Sequence, residues 1–218
     1  MSEKETTIPG GFYIVLEGPD GSGKSTQARY LANRLGREGY MVVSTKEPGG
    51  TVVADRIRAL LLDRGAEDMS ALAELFLFEA SRTQLRTQVI IPSLSAGRVI
   101  ISDRSEHSST AYQGYGGKVD LEIVRQLNAI ATLGIRPDLE VFIDADPKKG
   151  LDREVEKGRF NDKGLIYHEK VRQGFLEIAA QDPIRRHLMH FREGDAEGMA
   201  EEVYRIAKAK IDERLKQQ

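Results

Sequence analysis

Residues 18–25 read Gly18-Pro19-Asp20-Gly21-Ser22-Gly23-Lys24-Ser25, which matches the pattern G-x-x-x-x-G-K-[ST] in full. An apolar run, Phe12-Tyr13-Ile14-Val15-Leu16, precedes it, and Ala28, Leu31, Ala32 and Leu35 follow at helical spacing. A strand, a glycine-rich turn and a helix in that order form a phosphate cradle. The glycines let backbone N–H groups turn inward toward phosphate oxygens, and the helix N-terminus adds its partial positive charge. Lys24 supplies a full charge for the β- and γ-phosphates, and Ser25 a hydroxyl ligand for Mg²⁺. Gly18, Pro19, Asp20, Gly21, Ser22, Gly23, Lys24, Ser25 and Thr26 are therefore the candidate ATP-binding residues.

Such a loop commits the chain to a parallel sheet, and the rest of the pattern agrees. Tyr40-Met41-Val42-Val43, Arg98–Asp103, Leu139–Asp144 and a short stretch near 188–191 read as further strands. Helices are predicted over 53–63 with Ile57, Leu60 and Leu61 on one face, from a Ser70 cap toward Gln88, over 121–133, on both sides of 153–163, and from about Met199 to the end. Pro92 should kink or restart its helix. The expected architecture is α/β: a three-layer α/β/α domain with a five-stranded parallel sheet and a helical lid. Residues 1–10 are expected to form a flexible tail, residues 11–218 one domain, and about 152–165 the lid.

Composition narrows the chemistry. With no cysteine, a disulfide framework, a thiolate metal site and a cysteine nucleophile are excluded together. Lys and Arg total 32 against 34 Asp and Glu, a net charge of -2, which excludes a generally basic nucleic-acid coat protein. No signal peptide and no apolar run of membrane-spanning length is visible, so a cytoplasmic location is expected. A GTPase of the usual kind would carry the guanine-reading tetrad N-K-x-D, which does not occur. None of the four histidines has a catalytic setting; His107 borders a loop near the expected site.

Five ordered motifs then resemble the thymidylate kinase family over nearly the whole chain. They are Leu16–Gln27, Glu47-Pro48-Gly49-Gly50-Thr51, Leu77-Phe78-Glu79-Ala80-Ser81-Arg82, Asp103-Arg104 and Ala111-Tyr112-Gln113-Gly114. The resemblance implies transfer of the ATP γ-phosphoryl group to dTMP, with Mg²⁺ as cofactor and a homodimeric enzyme. Residue by residue, it implies that Asp20 accepts from the acceptor 3′-hydroxyl, Phe78 stacks on thymine and Arg82 donates to thymine O4. Arg104 would grip the acceptor phosphate, Tyr112 pack under the deoxyribose, Ser109 and Gln113 meet the base, and Glu47 border the acceptor phosphate. Ser25 and Asp103 would attend the metal. Singly, each has a plainer reading: Phe78 as core, Arg104 as a surface salt bridge.

The charged stretch Arg153, Lys157, Arg159, Lys163, interleaved with Asp152, Glu154, Glu156 and Asp162, reads on its own as a solvated helix with i,i+4 pairs. The resemblance implies more. Where an Arg often follows the P-loop Asp, this chain has Gly21, and family members lacking that Arg carry the transition-state cation in the lid. Arg153 or Arg159 is the expected catalytic cation beside Lys24 and Arg104, with Lys157 third. Three positions depart from the family pattern: Lys46 replaces Arg, Ser105 replaces Tyr or His, and Phe175 replaces Tyr. Two other readings stay open: another deoxynucleotide or deoxynucleoside kinase on the same scaffold, and a non-catalytic ATP-binding regulatory module.

Overall fold

A computed structural model describes residues 6–153 and 158–217. Five strands, β1 (Phe12–Glu17), β2 (Val42–Lys46), β3 (Val99–Asp103), β4 (Leu139–Asp144) and β5 (Arg186–His190), form one parallel sheet in the order β2-β3-β1-β4-β5. β1 is central and buried along its whole length, as its uninterrupted apolar run requires. Its side chains alternate between faces. Phe12, Ile14 and Leu16 pack with α1 (Lys24–Arg37) and α9 (Ala196–Lys216) through Leu31, Leu35, Val203 and Ile211. Tyr13 and Val15 pack on the opposite face with Leu85 of α3 (Ala71–Leu85) and Ile100. A third cluster joins Phe142 of β4 to Val171 and Phe175 of α8 (Leu165–Ala179) and to Tyr112.

The register aligns the strand ends that matter. Leu16 of β1 and Lys46 of β2 both pair with Asp103 of β3, and Glu17 pairs with Phe142 of β4. The loops after β1, β2, β3 and β4 therefore leave one edge of the sheet together. Because β3 and β4 flank β1 on opposite sides, that edge includes the topological switch point where open α/β sheets bind ligands.

Several elements differ from the sequence expectation. Residues 6–10 do not form a tail: Thr6 N–H donates to Gly39 O at 2.7 Å, and Ile8 is completely buried. One apolar side chain packed into the core cluster outweighs the polar composition of the segment; residues 1–5 of the expected tail lie outside the described residues. β2 begins at Val42 rather than Tyr40. α2 (Val52–Leu62) buries Ala54 and Leu61, while Leu60 stays 47% exposed, so the inward stripe is narrower than predicted. Ser70 caps α3 as expected, its Oγ accepting from Ala73 N at 3.3 Å. After α3 a π-helical turn, 86–90, leads into α4 (Ile91–Ser95), and Pro92 sits in its first turn, where no N–H is needed. The remaining helices are α5 (Glu106–Ser109), α6 (Leu121–Ala131) and α7 (Pro147–Arg153). Among the described residues no helix is long and apolar enough to cross a membrane.

Candidate active site

The P-loop turn is built on positive φ angles at Gly18, Gly21 and Gly23. Gly18 could carry no side chain, since a Cβ there would fall 2.3 Å from the Ile143 carbonyl oxygen of β4. Lys24 opens α1 and is buried; its Nζ donates to Pro19 O at 2.6 Å and to Ser22 Oγ at 3.2 Å. Ser25 Oγ donates to Asp103 Oδ2. Asp103 Oδ1 is buried and accepts from no described residue. The P-loop hydroxyl and the β3 carboxylate thus form one oxygen-rich corner with an unused acceptor.

Arg104 follows directly, at φ 79°, a left-handed conformation that a non-glycine residue adopts only under constraint. The constraint is visible. Arg104 N–H donates to Leu16 O at 2.9 Å, and Nη1 donates to Gly18 O at 2.9 Å and Ser108 Oγ at 3.1 Å. Nη2 donates to Asp20 Oδ1 at 2.5 Å and to the Tyr112 hydroxyl at 3.3 Å. Burial alone would raise the Asp20 pKa, but the charges of Arg104 and Lys24 outweigh it and hold the carboxyl below its usual range.

These groups open onto a cavity of about 1580 Å³, lined from the phosphate side by Lys24, Ser25, Asp103 and Arg104. An aromatic slot continues it: Phe78, Tyr112 and Phe160 line the same space, with Phe78 and Tyr112 edge-on to Phe160 at 5.9 and 6.3 Å. Tyr112 and Gln113 lie in a second π-helical turn, 110–116, a distortion that redirects side chains and recurs at functional sites. Glu47 lines the cavity from the loop after β2.

Arg82 and Ser109 do not line this cavity. Arg82 is 1% exposed, and all five of its N–H groups are used inside the protein. Nε donates to Glu47, Nη1 to Glu79 and Asn128, and Nη2 to Ser105 O and Ser109 Oγ. A contact with a base carbonyl would require one of these bonds to be exchanged. The i,i+4 spacing from Phe78 placed Arg82 on the right face of α3, but spacing carries no information about competing acceptors.

The two lid candidates separate. Arg153 of α7 reaches the P-loop: its Nε donates to Gly21 O at 3.0 Å and its guanidinium lies 4.2 Å from the Phe191 ring centroid. Its Nη2 is buried with no partner among the described residues. Arg159 instead is 5% exposed, donates to Leu61 O and pairs with Glu74 at 2.6 Å, away from the cavity lining. Lys157 lies outside the described residues. His107 faces away from the cavity toward Glu140 at 3.0 Å and Arg186.

Three working residues escaped the sequence reading. Glu17, the last residue of β1, is fully buried; its carboxylate accepts from Ser105 N, Ser108 N and Ser108 Oγ and so braces the turn that carries Arg104. Burial dominates its titration and pushes the carboxyl up to about 7, against the Ser108 hydroxyl, Arg104 and His107. The signal was an acidic residue closing an apolar strand. Glu74 and Phe191 gave none, because their roles depend on partners far away in the chain.

The thymidylate kinase profile matches residues 16–193. A thymidylate kinase of Desulforapulum autotrophicum is 39% identical over 213 residues, covering 93% of this chain and 92% of that protein. One of Synechococcus sp. (strain JA-2-3B'a(2-13)) is 44% identical over 173 residues, covering 79% and 83%. The crystal structure of thymidylate kinase from Ehrlichia chaffeensis superposes with a TM-score of 0.76 at 33% identity, covering 92% of this chain and 100% of that one. With the P-loop, the Asp103-Arg104 corner and the aromatic slot on one sheet edge, and with relatives this similar over this much of its length, the chain belongs to the thymidylate kinase family.

Proposed function

We propose that this protein transfers the γ-phosphoryl group of ATP to dTMP, giving dTDP and ADP. The observation that carries the reading is a single cavity that joins a phosphate cradle to an aromatic slot, with Arg104 and Asp20 at their junction. The acceptor oxygen is already a phosphate oxygen, so no strong general base is needed; catalysis is positioning and charge neutralisation. Lys24 and Arg153 meet the donor phosphates from the P-loop and from α7. Arg104 holds the acceptor phosphate. Asp20 receives the sugar 3′-hydroxyl, Phe78 and Tyr112 flank the base and deoxyribose, and Gln113 meets the base edge. Glu47 borders the acceptor phosphate. Arg82 and Ser109 stand behind the slot.

Mg²⁺ fits the corner formed by Ser25 and Asp103. Both offer hard oxygen donors of the kind this ion takes, and Asp103 Oδ1 is a buried acceptor without a partner among the described residues. When bound, the ion neutralises charge on the transferring group. We also assign the homodimer surface to the outer faces of α3 and α6, where Leu72, Phe76, Ile123 and Ile130 are 42%, 53%, 43% and 70% exposed.

A coupled ADP-release assay across dTMP, dUMP, UMP, dCMP and thymidine tests the reading. Turnover should be strongest with dTMP. Preference for another acceptor would assign a different kinase on the same scaffold, and tight ATP binding with no turnover would make the chain a regulatory module.

A further inference from the structure

Gln113 lines the cavity, yet its amide is not free to turn over. Its Nε2 donates to Glu74 Oε1 at 2.8 Å, and both side chains are 1% exposed. Glu74 in turn pairs with Arg159 Nη2 at 2.6 Å and Lys163 Nζ at 3.1 Å. Between two cations Glu74 is a carboxylate, and a carboxylate only accepts hydrogen bonds. With the amide reversed, Gln113 Oε1 would face a carboxylate oxygen with no proton between them. The orientation is therefore dictated by hydrogen-bond chemistry rather than by shape. It leaves Gln113 Oε1 buried and without a donor among the described residues, a costly state for a buried acceptor unless a ligand supplies the missing donor.

We infer that Glu74 is a specificity-positioning residue: it locks the Gln113 amide with its carbonyl toward the acceptor base, so the site selects a pyrimidine whose ring N3 carries a proton. Thymine and uracil have that imide N–H. Cytosine presents a lone pair at N3 and would meet the carbonyl oxygen acceptor to acceptor. Only a reversed amide would suit cytosine, and the Glu74 carboxylate forbids the reversal. The same carboxylate is held by Arg159 and Lys163, so the base-reading amide and the segment 158–163 share one anchor. This inference rests on the reading of dTMP as acceptor.

The test measures kcat/KM of the full chain with ATP and Mg²⁺ for dTMP and for dCMP. In Glu74→Gln the new amide can either donate to or accept from Gln113, so Gln113 can turn over. The dTMP-to-dCMP ratio should fall by about tenfold or more. Glu74→Asp, which keeps an acceptor-only group, should retain the preference even if its rate drops. Lost packing or lost ion pairing would lower both substrates together and leave the ratio alone. If Glu74→Gln does not fold, Glu74→Ser carries the same test, since a hydroxyl also donates and accepts. A wild-type protein that ignores dTMP overturns the functional reading; a wild-type protein selective for dTMP whose Glu74→Gln or Glu74→Ser form keeps the same ratio overturns this inference.

Discussion

Gly21 of the P-loop and Gly150 of α7 touch backbone to backbone. A Cβ on Gly21 would fall 2.1 Å from Gly150 O, and a Cβ on Gly150 would fall 2.3 Å from Asp20 O. Three residues beyond Gly150, Arg153 reaches back to Gly21 O. The missing side chain at residue 21 is thus what lets a cation from α7 stand beside the phosphate cradle.

Gly150→Ala isolates that contact. Gly150 lies within a helix at an ordinary φ, so the substitution adds no backbone strain, and Ala favours a helix over Gly by up to about 1 kcal/mol. The added Cβ would nonetheless fall 2.3 Å from the Asp20 carbonyl oxygen, so α7 and the P-loop must move apart. We expect a lower melting temperature together with a kcat lower by about tenfold or more, because small misplacements of catalytic groups are costly. A thermal melt beside steady-state kinetics checks both; an unaltered kcat would show that α7 need not dock so closely.

Arg153→Ala and Arg159→Ala should fail in different ways. Arg153→Ala should lower kcat by roughly 10²- to 10³-fold with little change in KM, as expected for a cation acting on transition-state charge. Arg159→Ala should instead cost about 2–4 kcal/mol of stability by unpairing the buried Glu74, which Lys163 only partly compensates. Urea unfolding of both variants, read against their kinetics, separates the two roles.

Removal of divalent metal with excess EDTA should abolish turnover, and added Mg²⁺ should restore it. Asp103→Asn should raise the Mg²⁺ concentration needed for half-maximal rate by about tenfold or more, since an amide replaces the charged partner of Ser25. A magnesium titration at saturating ATP and dTMP measures the shift.

Glu17 makes stability depend on pH. Its carboxyl titrates at about 7 in the folded protein, against 4.5 in the unfolded chain. Between those values the folded state holds a proton that the unfolded state has lost, so stability falls as pH rises from about 4.5 to 7. The integrated change from this group is about 3 kcal/mol. Above about 7 both states are ionised and the slope from this group vanishes. Glu17→Gln keeps an oxygen to accept from Ser105 N, its amide NH₂ can donate to the Ser108 hydroxyl in place of the bond that Ser108 Oγ donates in the wild type, and it cannot titrate. Urea melts of wild type and variant between pH 4.5 and 8 should show a flatter profile for Glu17→Gln.

Phe76→Glu places a charge in the exposed apolar face of α3. It should convert a homodimer to monomer while leaving far-ultraviolet dichroism unchanged, as analytical ultracentrifugation will record. A wild-type monomer at the same concentration would remove the α3–α6 interface.

The sheet and its phosphate cradle were legible because they rest on local pattern: an apolar run, turn glycines and helical spacing within some thirty residues. Ser70 and Pro92 were legible for the same reason, since capping and a missing N–H act within one turn. Residues 6–10 differ from the expectation because Ile8 is a lone apolar residue between Thr7 and Pro9 in sequence but packs into the core cluster of Phe12, Leu31 and Leu35 in space. Leu60 was misread because periodicity gives a helix face, not the width of the surface that covers it.

By itself the sequence determined the class of chemistry. Lys24, Ser25, Asp103 and Arg104 each lie at the end of a strand or the start of a helix, and the parallel sheet gathers such ends at one edge. Tertiary structure decided which cations line the cavity and which are spent on the protein. Arg82 and Arg159 are as basic as Arg104 and Arg153, but buried carboxylates at Glu47, Glu79 and Glu74 claim them. A buried charge must find a partner, and whether that partner is a ligand or a distant side chain is settled by packing, which no local pattern records.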